Sequence, residues 1–350
     1  MIPRLLFRAL PSLGAAALVT FLSGCVAIEF PARDSNPGHK PKPAPNTGIT
    51  DDVRVFETNN VVRVEIDGQL FTEYRFRDVS RPFFYPILTP AGDHYTRRWP
   101  QEEVPNEERD HPHHHSLWYS HGDVNGVDLW SESAKAGRTV QDSIVKIASG
   151  RNAGLLTTRN EWRDKDGKVL GHDVRTHRFS RGPGSERYLD FSITIVASHG
   201  PMTLGDTKEG TFAIRVAESM RNKQPKNQPG EGHLLSSRGH RDGEVWGKRA
   251  EWVDYWGPVN GKTLGVAIFD HPANPRHPTW WHARDYGLFA ANPFGVHDFE
   301  KRAKGAGNLK IPAGGSVTFH YRVMFHAGDS GTANVASRYD EYVRTFKVAP

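Results

Sequence analysis

The sequence predicts an all-β protein, one large antiparallel sandwich of the supersandwich kind with an α-helix at its C-terminal end. Three observations carry this. Beyond about residue 50, β-branched and aromatic residues alternate with polar ones in short runs. Gly, Pro, Asn and Asp separate the runs, as turns between strands require. No stretch repeats at the spacing of a propeller blade or solenoid unit, so the strands belong to face-to-face sheets. Two smaller sandwiches in series are the alternative reading.

Taken in chain order, residues 61–66 lead through Asp67-Gly68 into residues 69–76, and Asp-Gly between alternating runs marks a hairpin. A second hairpin runs over residues 155–162, turns at Lys165-Asp166-Gly167 and returns through residues 169–179. Further strands are expected over 188–197, 211–217, 263–269, 287–291 and 316–326. Val335, Tyr339, Tyr342, Val343 and Phe346 recur at helical spacing, which predicts a helix over 332–347 packed on a sheet edge. Trp246, Trp252 and Trp256 read as core and sheet packing.

The first 50 residues read differently. Arg4 and Arg8 precede an apolar stretch from Ala9 to Leu22, the charged and apolar regions of an export signal. It ends in Leu22-Ser23-Gly24-Cys25, which resembles a lipobox, so residues 1–24 are expected to be removed and Cys25 acylated. The lone Cys of an exported chain has no disulfide partner, and this position gives it a role. Val26, in place of an Asp retention signal, favours the outer membrane or its periplasmic face. Residues 25–50, with Pro37, Pro41, Pro43 and Pro45, read as a semi-rigid tether, and residues 51–350 as the single sandwich domain. No later apolar run approaches the length of a membrane helix, so membrane contact is expected through the lipid anchor alone. Lys and Arg number 45 against 40 Asp and Glu, a formal +5 to which the leader contributes two. That balance argues against a nucleic-acid partner.

The most informative segment runs from Arg109 to Trp130, where Arg109-Asp110-His111-Pro112-His113-His114-His115 is followed by Trp118, His121, Asp128 and Trp130. Pro112 excludes a helix. In an extended chain His111, His113 and His115 would point one way and His114 the other. Three readings stay open. The histidines hold a divalent metal (zinc, copper or iron), with His111, His113 and His121 as ligands. They line a metal-free polar pocket as acid, base and hydrogen-bond donors, walled by Trp118 and Trp130. Or they are ordinary hydrogen-bonded surface residues.

A second constellation, Trp280-Trp281-His282-Ala283-Arg284-Asp285-Tyr286-Gly287 with Asn292, reads as a long loop at a sheet end, where scaffolds display functional residues. Aromatic faces cover the C–H faces of a pyranose, while Arg and Asn make paired hydrogen bonds to hydroxyls. Trp281 is the candidate stacking residue, and His282, Arg284 and Asn292 the candidate hydroxyl ligands. Between the two lies Lys208-Glu209-Gly210, before a strand whose alternation sets Phe212, Ile214 and Val216 against Thr211, Ala213 and Arg215. Glu209 is the candidate general base opposite a histidine acid, and Arg215 a substrate ligand. A nucleophile elbow, a phosphate-cradling loop and a Rossmann fingerprint are all absent from the sequence.

These residues together resemble a bacterial family of unknown function known as methane oxygenase PmoA-like. The shared pattern comprises Arg109 to His114, Leu117-Trp118, His121 to Trp130, Arg81 to Pro86, Lys208-Glu209-Gly210, Arg284 to Gly287, Asn292-Pro293-Phe294 and Tyr321-Arg322-Val323. His115 departs from it, standing where the family carries Arg. The resemblance implies a secreted or lipid-anchored sandwich similar to galactose mutarotase-like proteins, in which His and Glu face each other across a sugar pocket. It does not imply a methane monooxygenase subunit, whose transmembrane helices this chain lacks. The expectation is a carbohydrate-active protein in which His111, His113, His114 and Glu209 do acid-base chemistry. A metal-dependent enzyme and a non-catalytic sugar-binding lipoprotein are the alternatives.

Overall fold

The computed structural model describes residues 52–347, the side chain of Asn227 excepted. The leader, Cys25 and the tether lie outside the described residues. Among those residues the strands, in chain order, are β1 (Val53–Thr58), β2 (Val61–Ile66), β3 (Gln69–Arg75), β4 (Phe83–Ile87), β5 (Leu117–His121), β6 (Arg138–Ala148), β7 (Gly154–Arg163), β8 (Val169–Arg181), β9 (Arg187–Val196), β10 (Met202–Leu204), β11 (Gly210–Arg215), β12 (Lys223–Gln224), β13 (Gln228–Pro229), β14 (His233–Ser236), β15 (Trp252–Val259), β16 (Lys262–Asp270), β17 (Trp280–Ala283), β18 (Leu288–Asn292), β19 (Leu309–Ile311) and β20 (Ser316–Ala327). Two helices, α1 (Val296–Glu300) and α2 (Val335–Thr345), complete the regular elements used below.

Sixteen of these strands form two eight-stranded antiparallel sheets. The first has the order β1-β2-β3-β4-β5-β11-β18-β17, the second β14-β15-β16-β20-β9-β8-β7-β6. The expected hairpins are present: β2 pairs with β3 across Asp67-Gly68, where both residues take the left-handed conformation this turn needs, and β7 pairs with β8. Apolar residues of the two inner faces form one core, with Phe212 of the first sheet stacked on Phe191 of the second at 4.5 Å and on Tyr321 at 5.2 Å. A sandwich with its core between the sheets is what alternation predicts.

The C-terminal helix is shorter than expected and sits elsewhere. Val335 and Tyr342 pack on Tyr188, Trp252, Phe269 and Met324, one residue from each of the neighbouring strands β9, β15, β16 and β20. The helix thus covers the middle of the second sheet's outer face instead of its edge, because apolar side chains emerge on that face. Among the described residues, no helix of the core clusters packs on the outer face of the first sheet. It has a second apolar cluster of its own, built from Phe83, Tyr85, Trp118, Trp130, Ala213, Leu288 and Ala290.

Candidate functional site

The register of β5 on β11 decides which residues reach that outer face. Trp118 lies opposite Ala213, Tyr119 opposite Phe212 and Ser120 opposite Thr211. Strand alternation therefore sends Leu117, Tyr119, Phe212 and Ile214 into the core and Trp118, Ala213 and Arg215 outward. Phe212, Ile214 and Val216 share the core side, as the sequence predicts.

Over this face folds the histidine segment, and it is not extended. His111 and Ser116 adopt left-handed φ values of 48° and 57°, and the His114 N–H donates to the His111 carbonyl at 3.0 Å. The expected grouping of His111, His113 and His115 is thereby replaced. His111 stacks on His114 at 4.7 Å and His113 meets His114 edge-on at 4.6 Å. His115 turns away to stack on Phe83, with its Nδ1 2.7 Å from Gln101 and its Nε2 2.6 Å from Glu132. Tyr286, His111, His114 and Trp118 form a ladder of near-parallel rings with centroid spacings of 4.9, 4.7 and 5.3 Å. Trp130 closes it beside Trp118.

Three buried arginines hold the loop in this shape. Arg81 donates to the carbonyls of His113 (2.9 Å) and Trp130 (2.6 Å). Arg97 donates to the carbonyls of Asp110 (2.9 Å) and His111 (3.3 Å) and pairs with the Asp110 carboxylate. Arg215 reaches both Asp110 oxygens, at 2.9 and 3.1 Å. A guanidinium satisfies several carbonyls or a carboxylate at once, which suits a loop that must be pinned without secondary structure. Burial alone would raise the Asp110 carboxyl. The hydrogen bond from His111, whose Nδ1 is 2.9 Å away, and the charges of Arg215 and Arg97 instead hold it well below the usual carboxylate range.

The same arginine fixes a tautomer. Arg215 Nη1 donates to His114 Nδ1 at 3.1 Å; a guanidinium has no acceptor, so His114 carries its proton on Nε2. Burial, reinforced by the Arg215 charge, pushes His114 well below the ordinary histidine value. Burial and the Arg81 charge bring His113 down to about 4. Both are neutral at pH 7.

The C-terminal constellation arrives at the same face. The stretch expected to be one long loop contains an edge strand, β17, in which His282 pairs with Ala290 of β18. His282 points outward and is 2 % exposed, yet neither ring nitrogen has a well-formed hydrogen bond, only the Lys208 backbone lying beside it. Burial, then the charges of Lys208 and Arg284, lowers it to about 3. Arg284 stands 5.2 Å over the Tyr286 ring and Arg215 4.8 Å over it. Burial raises the Tyr286 hydroxyl, which also feels the charges of Arg284, Arg215, Glu209 and Asp110. Glu209 pairs with Lys208 at the entrance to β11. Both constellations and Glu209 therefore meet on one face.

Other candidates lie elsewhere. Trp281, expected to stack on a ligand, is part of the inter-sheet core and donates to the Ala250 carbonyl at 3.0 Å. Trp118 is buried beneath His114, so it supports the histidines instead of facing a ligand. His121 points to the core side of β5, packed on Phe294 at 4.7 Å with Nε2 2.9 Å from the Gly205 carbonyl. It is therefore not brought to His111 and His113, and among the described residues no group of three or more His, Cys, Asp or Glu is arranged as a metal site. Asn292 clamps the backbone of Thr207 and Lys208, at 3.0 and 2.9 Å, and thereby positions Glu209. Asp128 caps the turn at Trp130 and Ser131, and Arg109 pairs on the surface with Glu103 at 2.6 Å. Arg97, Lys208 and Tyr286 join the site without having been singled out from the sequence. Only Tyr286 and Lys208, lying inside the quoted family pattern, carried any signal.

The fold defines the class of this protein: an antiparallel β-sandwich, here with a candidate site on the outer face of one sheet. Its family follows from the sequence match: residues 61–340 fit the model described as "Family of unknown function (DUF6807)", and the chain belongs to that family. The methane oxygenase name attached to the resembling pattern has no support in that match. No curated protein matches the sequence. Among solved structures, a polysaccharide lyase aligns at 12% identity and a TM-score of 0.29, over 79% of this chain and 34% of the lyase. The chain thus spans about a third of that protein. A GalM/aldose epimerase homologue from C. elegans aligns at 6% identity and TM-score 0.31, covering 79% and 98%. A putative aldose 1-epimerase from Escherichia coli K12 aligns at 14% identity and TM-score 0.26, also covering 79% and 98%.

Proposed function

We propose that the outward face of the first sheet binds a sugar or glycoside and processes it by acid-base chemistry. The observation that carries this is the ring ladder Tyr286-His111-His114-Trp118, set beside an Asp110-held His111 and the Lys208-Glu209 pair. The rings of the ladder cover one another's faces and present their edges outward, where imidazoles offer a donor and an acceptor each to hydroxyls. In this reading the edges of Tyr286 and His111 line the sugar and Glu209 takes the proton from the reacting carbon or hydroxyl. His111, oriented by Asp110, returns a proton to the ring or leaving oxygen. His113 and His114, both neutral at pH 7, act as hydrogen-bonding groups. The test is a melting-temperature screen of the full chain against sugars, followed by product analysis on whichever sugar shifts it. Glu209→Gln should cut turnover about a hundredfold or more while the sugar still shifts the melting temperature. Turnover equal to that of the wild type would sink the assignment of Glu209.

The protein is further proposed to act from the outer membrane or its periplasmic face, anchored through Cys25. The Arg4 and Arg8 leader and Leu22-Ser23-Gly24-Cys25 support this. Growth with labelled palmitate should mark the wild-type chain and not Cys25→Ser; equal labelling of both would refute acylation at Cys25.

A further inference from the structure

Two features of the outer face find no use in a neutral sugar site. Arg284 forms no ion pair among the described residues; its guanidinium rests on the Tyr286 ring at 5.2 Å. Every other arginine of the site has a negative partner or a set of carbonyls: Arg97 and Arg215 share Asp110, and Arg81 lies 3.6 Å from Glu132. Beside Arg284 stands His282, 2 % exposed and with both ring nitrogens left without a well-formed hydrogen bond. A buried polar group in that state is costly unless a ligand completes it. Lys208 and Arg284 both act on His282; Lys208 is paired with Glu209, and Asp285, next to Arg284, with Lys223 at 3.1 Å, so of these charges that of Arg284 is the one left without an acid.

We infer that Arg284 and His282 form a carboxylate subsite, and that the sugar bound on this face is a uronic acid or a glycoside of one. The inference rests on the sugar reading above and names its substrate class. A guanidinium presents two parallel N–H groups matched to a carboxylate. A neutral imidazole supplies one N–H and one acceptor nitrogen, so His282 can donate to a carboxylate oxygen while its other nitrogen accepts from the neighbouring hydroxyl. A carboxylate on C5 with a hydroxyl on the adjacent C4 is the substituent pattern of a hexuronate. Tyr286, beneath Arg284, holds the guanidinium in place. An uncharged hexose would leave Arg284 without an acidic partner.

The experiment is calorimetric titration of the full chain with galacturonic and glucuronic acids and their trimers, each set beside the corresponding uronamide, the neutral hexose and acetate. The acids should bind at least tenfold tighter than their amides, and acetate should not bind. In Arg284→Gln the ratio of acid to amide affinity should fall to within about twofold, with Arg284→Lys between the two and the melting temperatures of both variants confirming that they fold. Neutral sugars binding as well as the acids would overturn the inference while leaving the sugar reading in place. Binding of acetate as tight as that of the uronates would overturn it in favour of a simple anion site. Failure of every sugar, charged or neutral, would bring down both.

Discussion

Single side chains in this protein work against their own solvation. His121, His177 and His282 are fully buried and pushed down by that burial to about 4, about 3 and about 3. Each binds its proton less readily in the folded chain than in the unfolded one, where the ordinary value is about 6.5. Stability from this source is fully present above that pH and is lost as pH falls through the window down to the folded values. At pH 5 the linkage amounts to about 2 kcal/mol for each of the three, a large share of a typical domain's stability of about 5–15 kcal/mol. His326 opposes them. Burial would lower it, but the Asp254 charge and a 3.0 Å hydrogen bond raise it, so its contribution is present below about pH 6.5 and fades as pH rises through its folded value. With His113 and His114 lowered as well, the lowered rings outnumber His326, which predicts a melting temperature that drops steeply between pH 6.5 and 5. A melting temperature that stays flat across that interval would show that these rings are protonated in the folded state.

At the scale of elements, the close approach of β15, β16 and β20 has a specific requirement. His326 on β20 reaches across Gly265 on β16 to Asp254 on β15, and a Cβ at Gly265 would lie 2.1 Å from the imidazole Cε1. Gly265→Val must displace the ring and leave Asp254 buried without its partner, so a loss of about 3 kcal/mol or more in urea unfolding is expected; an unchanged midpoint would mean the three strands can spread at no cost. The sequence made the hairpins and the strands around β9, β11, β16 and β20 legible, because there Asp-Gly turns or polar residues alternate with apolar ones. It left β5 and β17 unseen. Both are buried at every position, one face by the core and the other by the loop or turn above it, so the period of two that marks a half-exposed strand is missing from their polarity. For the same reason the tryptophans could not be sorted. Trp280 and Trp281 are adjacent and both buried, and only the register of β17 on β18 shows that Trp281 enters the core.

For the whole molecule, chemistry distant in sequence gathers because β5, β11 and β18 are neighbours in one sheet. The residue types of the candidate site were readable from the chain, and so was their density after Arg109. Their convergence was not, since the order of strands in a sheet depends on long-range pairing that local pattern does not encode. Nor was the refolding of the histidine loop, which depends on Arg81, Arg97 and Arg215 arriving from three other elements. The strands that carry the site are dry on both sides: β5, β11, β17 and β18 are buried along their whole lengths. In the interior strands β5, β11 and β18, paired on both sides, backbone of that kind is expected to open only with the entire fold, so their amide hydrogens should rank among the last to exchange with solvent. A ligand arriving on this face therefore meets a floor already at rest. Under the proposed function, recognition would be selection by a rigid template, with little ordering entropy left for the ligand to supply on arrival.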